Sequence, residues 1–237
     1  SEIFGGSLKD ALDPALAIEC IHLYSCIHDD LPCMDDDDFR RNQPSLHKAH
    51  GEALALLTGD FFLTFAFQLL AECSLPAEKK SSLISVLSQK SGALGMIAGQ
   101  TMDIQSDNFS IKEEEILFMH EKKTAALLEA AALFGAIIGS STQEEKKLID
   151  SFAIALGVGY QFTDDVLDQT GKFSSLGKPI GSDEKNAKAT SICMYGLAKA
   201  QEKAFFWYDE ALESLNKIEK NTDALKDLTC RLIKRNF

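Results

Sequence analysis

Apolar residues recur every three or four positions through almost every segment of this chain, and strict alternation is nearly absent. That spacing suits helices and leaves little material for a sheet. The segment boundaries carry helix signals of their own. Asp13-Pro14 reads as an N-cap and first helical residue ahead of "ALAIECIHLYSCIHDDL". Ser110-x-x-Glu113 and Thr142-x-x-Glu145 read as capping boxes opening "EILFMHEKKTAALLEAAALFGAIIG" and "KLIDSFAIALGVGYQFTDDVLDQT". "GEALALLTGDFFLTFAFQLLAEC" is apolar nearly all round and reads as a central buried helix. Further helices are expected from Ser74–Pro76 through "GALGMIAGQTMDI", from Ala187 to Lys217, and from Thr222 onward. The Gly/Ser-rich "TGKFSSLGKPIGSDEKN" is the one long loop. No repeat, linker or low-complexity tract divides the chain, so residues 1–237 read as one all-α domain.

Lys plus Arg number 24 against 36 Asp plus Glu, a net charge of -12, which argues against a basic nucleic-acid face. Cys20, Cys26, Cys33, Cys73, Cys193 and Cys230 form no C-x-x-C pair and read as free thiols of a reducing compartment. Neither a signal peptide nor an uninterrupted apolar run of membrane-spanning length is read from the letters. A cytoplasmic protein without stable membrane insertion is expected.

The negative charge is concentrated. "IHDDLPCMDDDDFRR" places six aspartates within ten residues and closes on Arg40 and Arg41. In "QFTDDVLD", Asp164 and Asp168 lie four apart, with Gln161 three before Asp164, so all three share one helix face. Two carboxylates about 4 Å apart repel by roughly 4 kcal/mol at an effective dielectric of 20, and a divalent cation reverses that sign. A solvated acidic helix end is the plain alternative for either cluster taken alone. His22, Ser25 and Asp29 also share a stripe, and Pro32 interrupts the helical ladder so that Asp35 can return toward Asp29. Two carboxylate clusters on separate helices, without His or Cys, make an all-oxygen site that suits Mg²⁺ and substrate phosphates. Arg40, Arg41, Lys123 and Lys178 could donate to a diphosphate beside these clusters. Each of them taken singly reads first as a solvated surface charge.

"HDDLPCMDDDDFRR" and "YQFTDDVLD" resemble the first and second aspartate-rich motifs of the trans-isoprenyl diphosphate synthases. The likeness runs on through "ECIHLYS", "GQTMD", "HEKKTAAL", "LGKPIGSD" and "RLIKRN", in the family's order, and is nearest to the bacterial farnesyl type. The resemblance implies a helical bundle of the isoprenoid synthase type around a central apolar cavity, usually a homodimer. It implies head-to-tail condensation of isopentenyl diphosphate with an allylic diphosphate, with two or three Mg²⁺ ions and Mn²⁺ as a substitute. By motif match, Asp29, Asp35, Asp164 and Asp168 would hold metal, with Asp30 and Asp165 supporting. Arg40, Lys123, Gln161 and Lys178 would contact the allylic substrate, and Arg41 and His22 would help bind isopentenyl diphosphate. Gln100 and Asp103, from G-Q-x-x-D, would orient Lys123 or the metal waters.

The implied chemistry is ionisation, condensation and elimination. Thr124 and Gln161 oxygens would face the allylic cation, and the released diphosphate would remove the proton. Tyr24 and Ser25, one turn before Asp29, would form the floor of the tunnel and stop elongation near C15; an ordinary core aromatic is the plain reading of Tyr24. The chain departs from the family's pattern in three places. The Gly-Lys-x-x-Arg-Pro segment is not among these residues, and a truncated chain is the expectation. Phe39 stands where Leu is common, and "NAKATSICMYG" keeps Lys188 of a phosphate-binding motif but replaces its Gly and its Tyr-Pro. Farnesyl diphosphate is the expected product and geranylgeranyl diphosphate the alternative. A class I terpene cyclase would carry an Asn/Ser/Glu triad in place of "DDVLD", and a non-catalytic synthase subunit would have lost one aspartate cluster.

Overall fold

The computed structural model describes residues 1–106, 112–170 and 190–234. A 3-10 turn (Glu2–Phe4) precedes α1 (Leu8–Asp29), which leads through strands β1 (Phe39–Arg40) and β2 (Gln43–Pro44) to α2 (Leu46–His50). There follow α3 (Glu52–Glu72), α4 (Ala77–Ser91), α5 (Met96–Gln105) and α6 (Glu113–Met119). A π-helical turn (His120–Ala125) joins α6 to α7 (Ala126–Ile138), and α8 (Gln143–Thr170) is the longest helix among the described residues. The chain continues with α9 (Ser191–Tyr195), α10 (Leu197–Asn216) and α11 (Asp223–Lys234). The all-α expectation holds. Strand among the described residues is confined to the short hairpin between the aspartate loop and α2.

Local chemistry moved several boundaries. Helix α1 begins at Leu8 rather than beside Pro14, because the Ser7 hydroxyl accepts the Asp10 N–H at 3.1 Å and caps an earlier turn. Pro14 then sits inside the helix. The Thr142–Glu145 capping box is present in both directions, at 2.7 and 3.2 Å. Ser110 lies outside the described residues; at α6 the Glu115 carboxylate accepts the Lys112 N–H at 2.8 Å. The helix expected from Ser74 divides into α4 and α5 around Gly92–Gly95. The one expected from Ala187 to Lys217 divides at Gly196, whose φ of 73° is left-handed. The long Gly/Ser loop falls outside the described residues.

Helix α3 is the main correction. It packs on α1 through Gly59, Ala66 and Leu70, while Leu54, Leu57 and Phe61 are exposed along another face. It is also long and apolar enough to cross a membrane, although only 22% of that window is buried. Apolarity all round therefore did not mean burial all round.

Two apolar clusters build the core. One joins α8 to α10 through Phe152, Phe162, Val166, Tyr208 and Leu215. The other joins α1, α3 and α4 through Ile21, Leu70, Leu83 and Leu87. Helix α7 serves both, offering Ala136 to the first and Phe134 and Ile138 to the second. A polar pair beside the first cluster is satisfied: Thr163 Oγ1 lies 3.2 Å from the Tyr208 hydroxyl and donates to the Gly159 carbonyl. Residues of α1, α5, α7 and α8 together line a cavity of about 1030 Å³.

Candidate active site

The first aspartate cluster is sorted by the way α1 ends. Pro32 has no N–H to continue the ladder. The Asp29 carbonyl instead accepts the Asp35 N–H at 2.9 Å, and the Leu31 carbonyl accepts that of Asp36, whose φ is 49°. The chain thus doubles back and sets Asp35 beside Asp29, where both line one polar recess of about 150 Å³. Asp30 is buried away from it, gripped by Arg40 Nε at 2.9 Å and by an Arg40 terminal nitrogen at 2.5 Å. Burial raises the Asp30 pKa, and Arg40 opposes that rise. Lys48, in the middle of α2, lies 3.3 Å from Asp36 and 2.9 Å from Asp38, and His47 stands 3.6 Å from Asp36. Of the six acids, Asp29, Asp35 and Asp37 line the recess, with Asp37 also 4.0 Å from Arg40, while Asp30 is held by Arg40 and Asp36 and Asp38 by Lys48.

The hairpin turns at Arg41 and Asn42, both left-handed with φ of 51° and 62°, the pattern of a tight primed turn. It leaves Arg40 on Asp30 and brings Arg41 to 3.4 Å from His22 Nε2. Burial, opposed by Glu19 and helped by Arg41 and Arg40, lowers the His22 pKa, so the neutral ring can accept from arginine. Ser25 donates to the His22 carbonyl, and Tyr24 packs edge-on to His28 at 5.7 Å; all four residues line the large cavity.

The second cluster comes from α8. Asp164 lines both the recess and the large cavity, as do Asp29, Arg40, Lys123, Thr124 and Gln161. Asp165 is buried: Gln161 Nε2 donates to Oδ1 at 2.9 Å and the Ser191 N–H to Oδ2 at 2.8 Å. Burial opposes its charge, yet the His120 ring 3.5 Å away and the donors from Ser191 and Gln161 together hold its carboxyl below the usual range. Asp168 is buried one turn further on and is not among the residues lining the recess. Lys178 and Lys188 lie outside the described residues.

Lys123 and Thr124 are presented by the π-helical turn, and two glycines let that turn sit deep. A Cβ on Gly99 of α5 would fall 2.1 Å from the Lys123 nitrogen, and one on Gly157 of α8 would fall 2.4 Å from the Ala125 Cα. The turn is thus gripped from both sides, with Lys123 and Thr124 at the wall of the recess. Lys123 Nζ bonds Asp103 at 2.5 Å, Gln100 Nε2 donates to Asp29 at 2.6 Å, and Thr124 donates to Gln161 Oε1 at 2.6 Å. The glycine contacts and His120 were not read from the sequence. A single glycine in a helical segment carries no sign of what approaches it.

The arrangement is an oxygen-rich recess opening on an apolar chamber. Six carboxylates line the recess, from Asp29, Asp35, Asp37, Asp103, Asp164 and Asp165, of which Asp103 already holds Lys123 and Asp165 already accepts from Gln161 and Ser191; Arg40 and Lys123 supply positive charge. Among the described residues, no three His, Cys, Asp or Glu side chains form a closed metal cage. Mg²⁺ needs no such cage: it takes one or two carboxylates and completes its shell with water and substrate phosphate.

Comparison with known proteins agrees with this geometry. A polyprenyl synthetase family model matches residues 2–228. The farnesyl diphosphate synthase of Geobacillus stearothermophilus is 40% identical over 225 residues, covering 94% of this chain and 75% of that one. A crystal structure of a geranyltransferase from Helicobacter pylori, complexed with magnesium and isoprenyl diphosphate, superposes with a TM-score of 0.81 at 36% identity, covering 95% of this chain and 72% of that one. The geranylgeranyl pyrophosphate synthetase of Pyrococcus horikoshii superposes with a TM-score of 0.85 at 31% identity, covering 97% and 81%.

Proposed function

The chain belongs to the polyprenyl synthetase family, and we propose that it joins isopentenyl diphosphate head-to-tail to dimethylallyl or geranyl diphosphate, releasing farnesyl diphosphate. The observation that carries this reading is the convergence of Asp29 and Asp164, from helices far apart in sequence, on one recess that opens into an apolar cavity.

Asp29, Asp35 and Asp164 would hold Mg²⁺, two or three ions in all, with Mn²⁺ able to substitute. Bound there, the metal supplies positive charge for the departing diphosphate. Arg40 and Lys123 bind the same diphosphate through charged donors, and their partners Asp30 and Asp103 fix where those donors stand. Thr124 and Gln161 turn oxygens toward the allylic carbon as it becomes positive, in a site that excludes water. Arg41 and His22 hold the second diphosphate. The isopentenyl double bond attacks the cation, a C–C bond forms, and the proton leaves to the released diphosphate. Tyr24 closes the floor and favours C15 over C20.

A second copy of the chain would cover the outer face of α3. Leu54, Leu57 and Phe61 form a stripe on helical spacing, more than half exposed, which a lone chain would leave in water. The protein would work in the cytoplasm. Incubation with Mg²⁺, isopentenyl diphosphate and labelled C5, C10 or C15 allylic diphosphate, followed by chain-length analysis, tests the reaction. Products ending at C15 are expected. C20 as the main product would overturn the Tyr24 assignment, and no elongation at all would overturn the reaction itself.

A further inference from the structure

We propose that Asp165 is a positioning residue that sets which end of the Gln161 amide faces the reacting carbon, rather than a metal ligand. The inference rests on the prenyltransfer reading and deepens it. Asp165 is 4% exposed, and protein donors engage both its oxygens: Gln161 Nε2 at Oδ1 and the Ser191 N–H at Oδ2. His120, 1% exposed and wedged edge-on to Phe162 at 4.8 Å, brings Nε2 to 3.5 Å from Oδ2. An ionised carboxylate only accepts hydrogen bonds. The nitrogen end of Gln161 must therefore face Asp165, which leaves Oε1 to accept the Thr124 hydroxyl at 2.6 Å at the cavity wall. A carbonyl oxygen stabilises a developing allylic cation there, whereas an amide NH₂ would oppose it.

The order of partners makes the inference testable. The Ser191 N–H belongs to the backbone and cannot be inverted. In Asp165→Asn the new amide oxygen would turn to Ser191, so its NH₂ would meet Gln161. Gln161 would then flip and present NH₂ toward Thr124 and the cavity. Gln161→Glu alone sets two carboxylates against each other. In the double variant D165N/Q161E, the amide introduced at position 165 donates to the carboxylate introduced at position 161, which again accepts from Thr124.

The experiment measures kcat, both KM values and the Mg²⁺ dependence of D165N, Q161E and D165N/Q161E, with melting curves to confirm folding. D165N is expected to lose roughly 10²-fold in kcat, the size of one misplaced electrostatic contact in an active site, while KM and the Mg²⁺ dependence stay as in the parent. The double variant is expected to recover about tenfold over Q161E, as for one hydrogen bond to a charged group. A raised Mg²⁺ requirement in D165N, or no recovery in the double variant, overturns the proposal. Should D165N fail to fold, the comparison of D165N/Q161E with Q161E separates the same two outcomes. A parent protein that forms no prenyl product would instead sink the underlying reaction.

Discussion

Gln100 on α5 donates from Nε2 to Oδ1 of Asp29 at the end of α1, over 2.6 Å and across 71 residues of sequence. Lys123, on the neighbouring turn, is bonded to Asp103, which lies about one helical turn beyond Gln100. Helix α5 thus orients an acid on one side of the recess and a cation on the other, before any substrate arrives. Preorganisation of this kind reduces the entropy lost in ordering side chains on binding.

The carboxylates are expected to be indispensable. Asp29→Ala and Asp164→Ala should each cut turnover by at least about 10²-fold, since each removes charge that would hold the metal at the leaving group. Circular dichroism should stay helical, because both side chains line the recess rather than the core. Near-normal rates in either variant would falsify the metal assignment. Gln100→Leu should act more mildly, mainly by raising the Mg²⁺ concentration needed for half-maximal rate.

Tyr24 carries the prediction on product length. It is buried, lines the cavity and packs against His28. Tyr24→Ala should move the longest product from C15 to C20, because truncating a buried aromatic opens a void along the cavity. Chain-length analysis showing C15 alone from the variant would return Tyr24 to the role of an ordinary core residue.

The glycine grip on the π-helical turn is tested by adding one methyl group. Gly157→Ala forces a carbon against Ala125, and Gly99→Ala forces one against the backbone of Lys123. Overpacking of this kind costs about 1–3 kcal/mol. Both variants should melt earlier and lose more activity than the stability loss explains, since Lys123 and Thr124 ride on the displaced turn. Parent-like kcat in a destabilised Gly99→Ala protein would separate the turn from the chemistry.

A second acidic group lies away from the recess. Glu129 is almost fully buried, with Lys90 as its partner, and its Oε1 has none among the described residues. Burial raises its pKa, Lys90 opposes that rise, and Asp150 and Glu121 add to it. Burial raises Asp150 as well. A carboxyl raised on folding takes up a proton more readily in the folded state. Its contribution is therefore complete below the unfolded value, about 4.3 for glutamate, and is lost as pH rises through the folded one. Glu129→Gln should make unfolding free energy fall less steeply with pH over that window, as read from urea midpoints. An unchanged slope would assign the effect to other acids.

The outer stripe of α3 is tested by charge. Leu57→Glu or Phe61→Glu would place a carboxylate in an apolar contact between two copies, where desolvation disfavours it. Sedimentation should show a dimer for the parent and a monomer for the variants. A monomeric parent would remove the homodimer from the reading.

The order of letters alone determined the class of fold and the charge gathered in the two aspartate clusters, because both depend on local rules. Helical spacing needs no knowledge of neighbours, and a doubled aspartate motif beside arginines states its charge wherever it folds. The Thr142–Glu145 cap was legible for the same reason: both partners lie within one turn. Tertiary structure decided which face of α3 is covered, which aspartates turn to the recess and which to Arg40 or Lys48, and what presses on Gly99 and Gly157. Those outcomes depend on groups brought from elsewhere in the chain, and no periodicity records a partner 71 residues away. Acids from the ends of α1 and α8 share a single pocket with their accompanying cations only after the helices have packed. The balance of burial and charge across that pocket belongs to the folded molecule and not to any stretch of it.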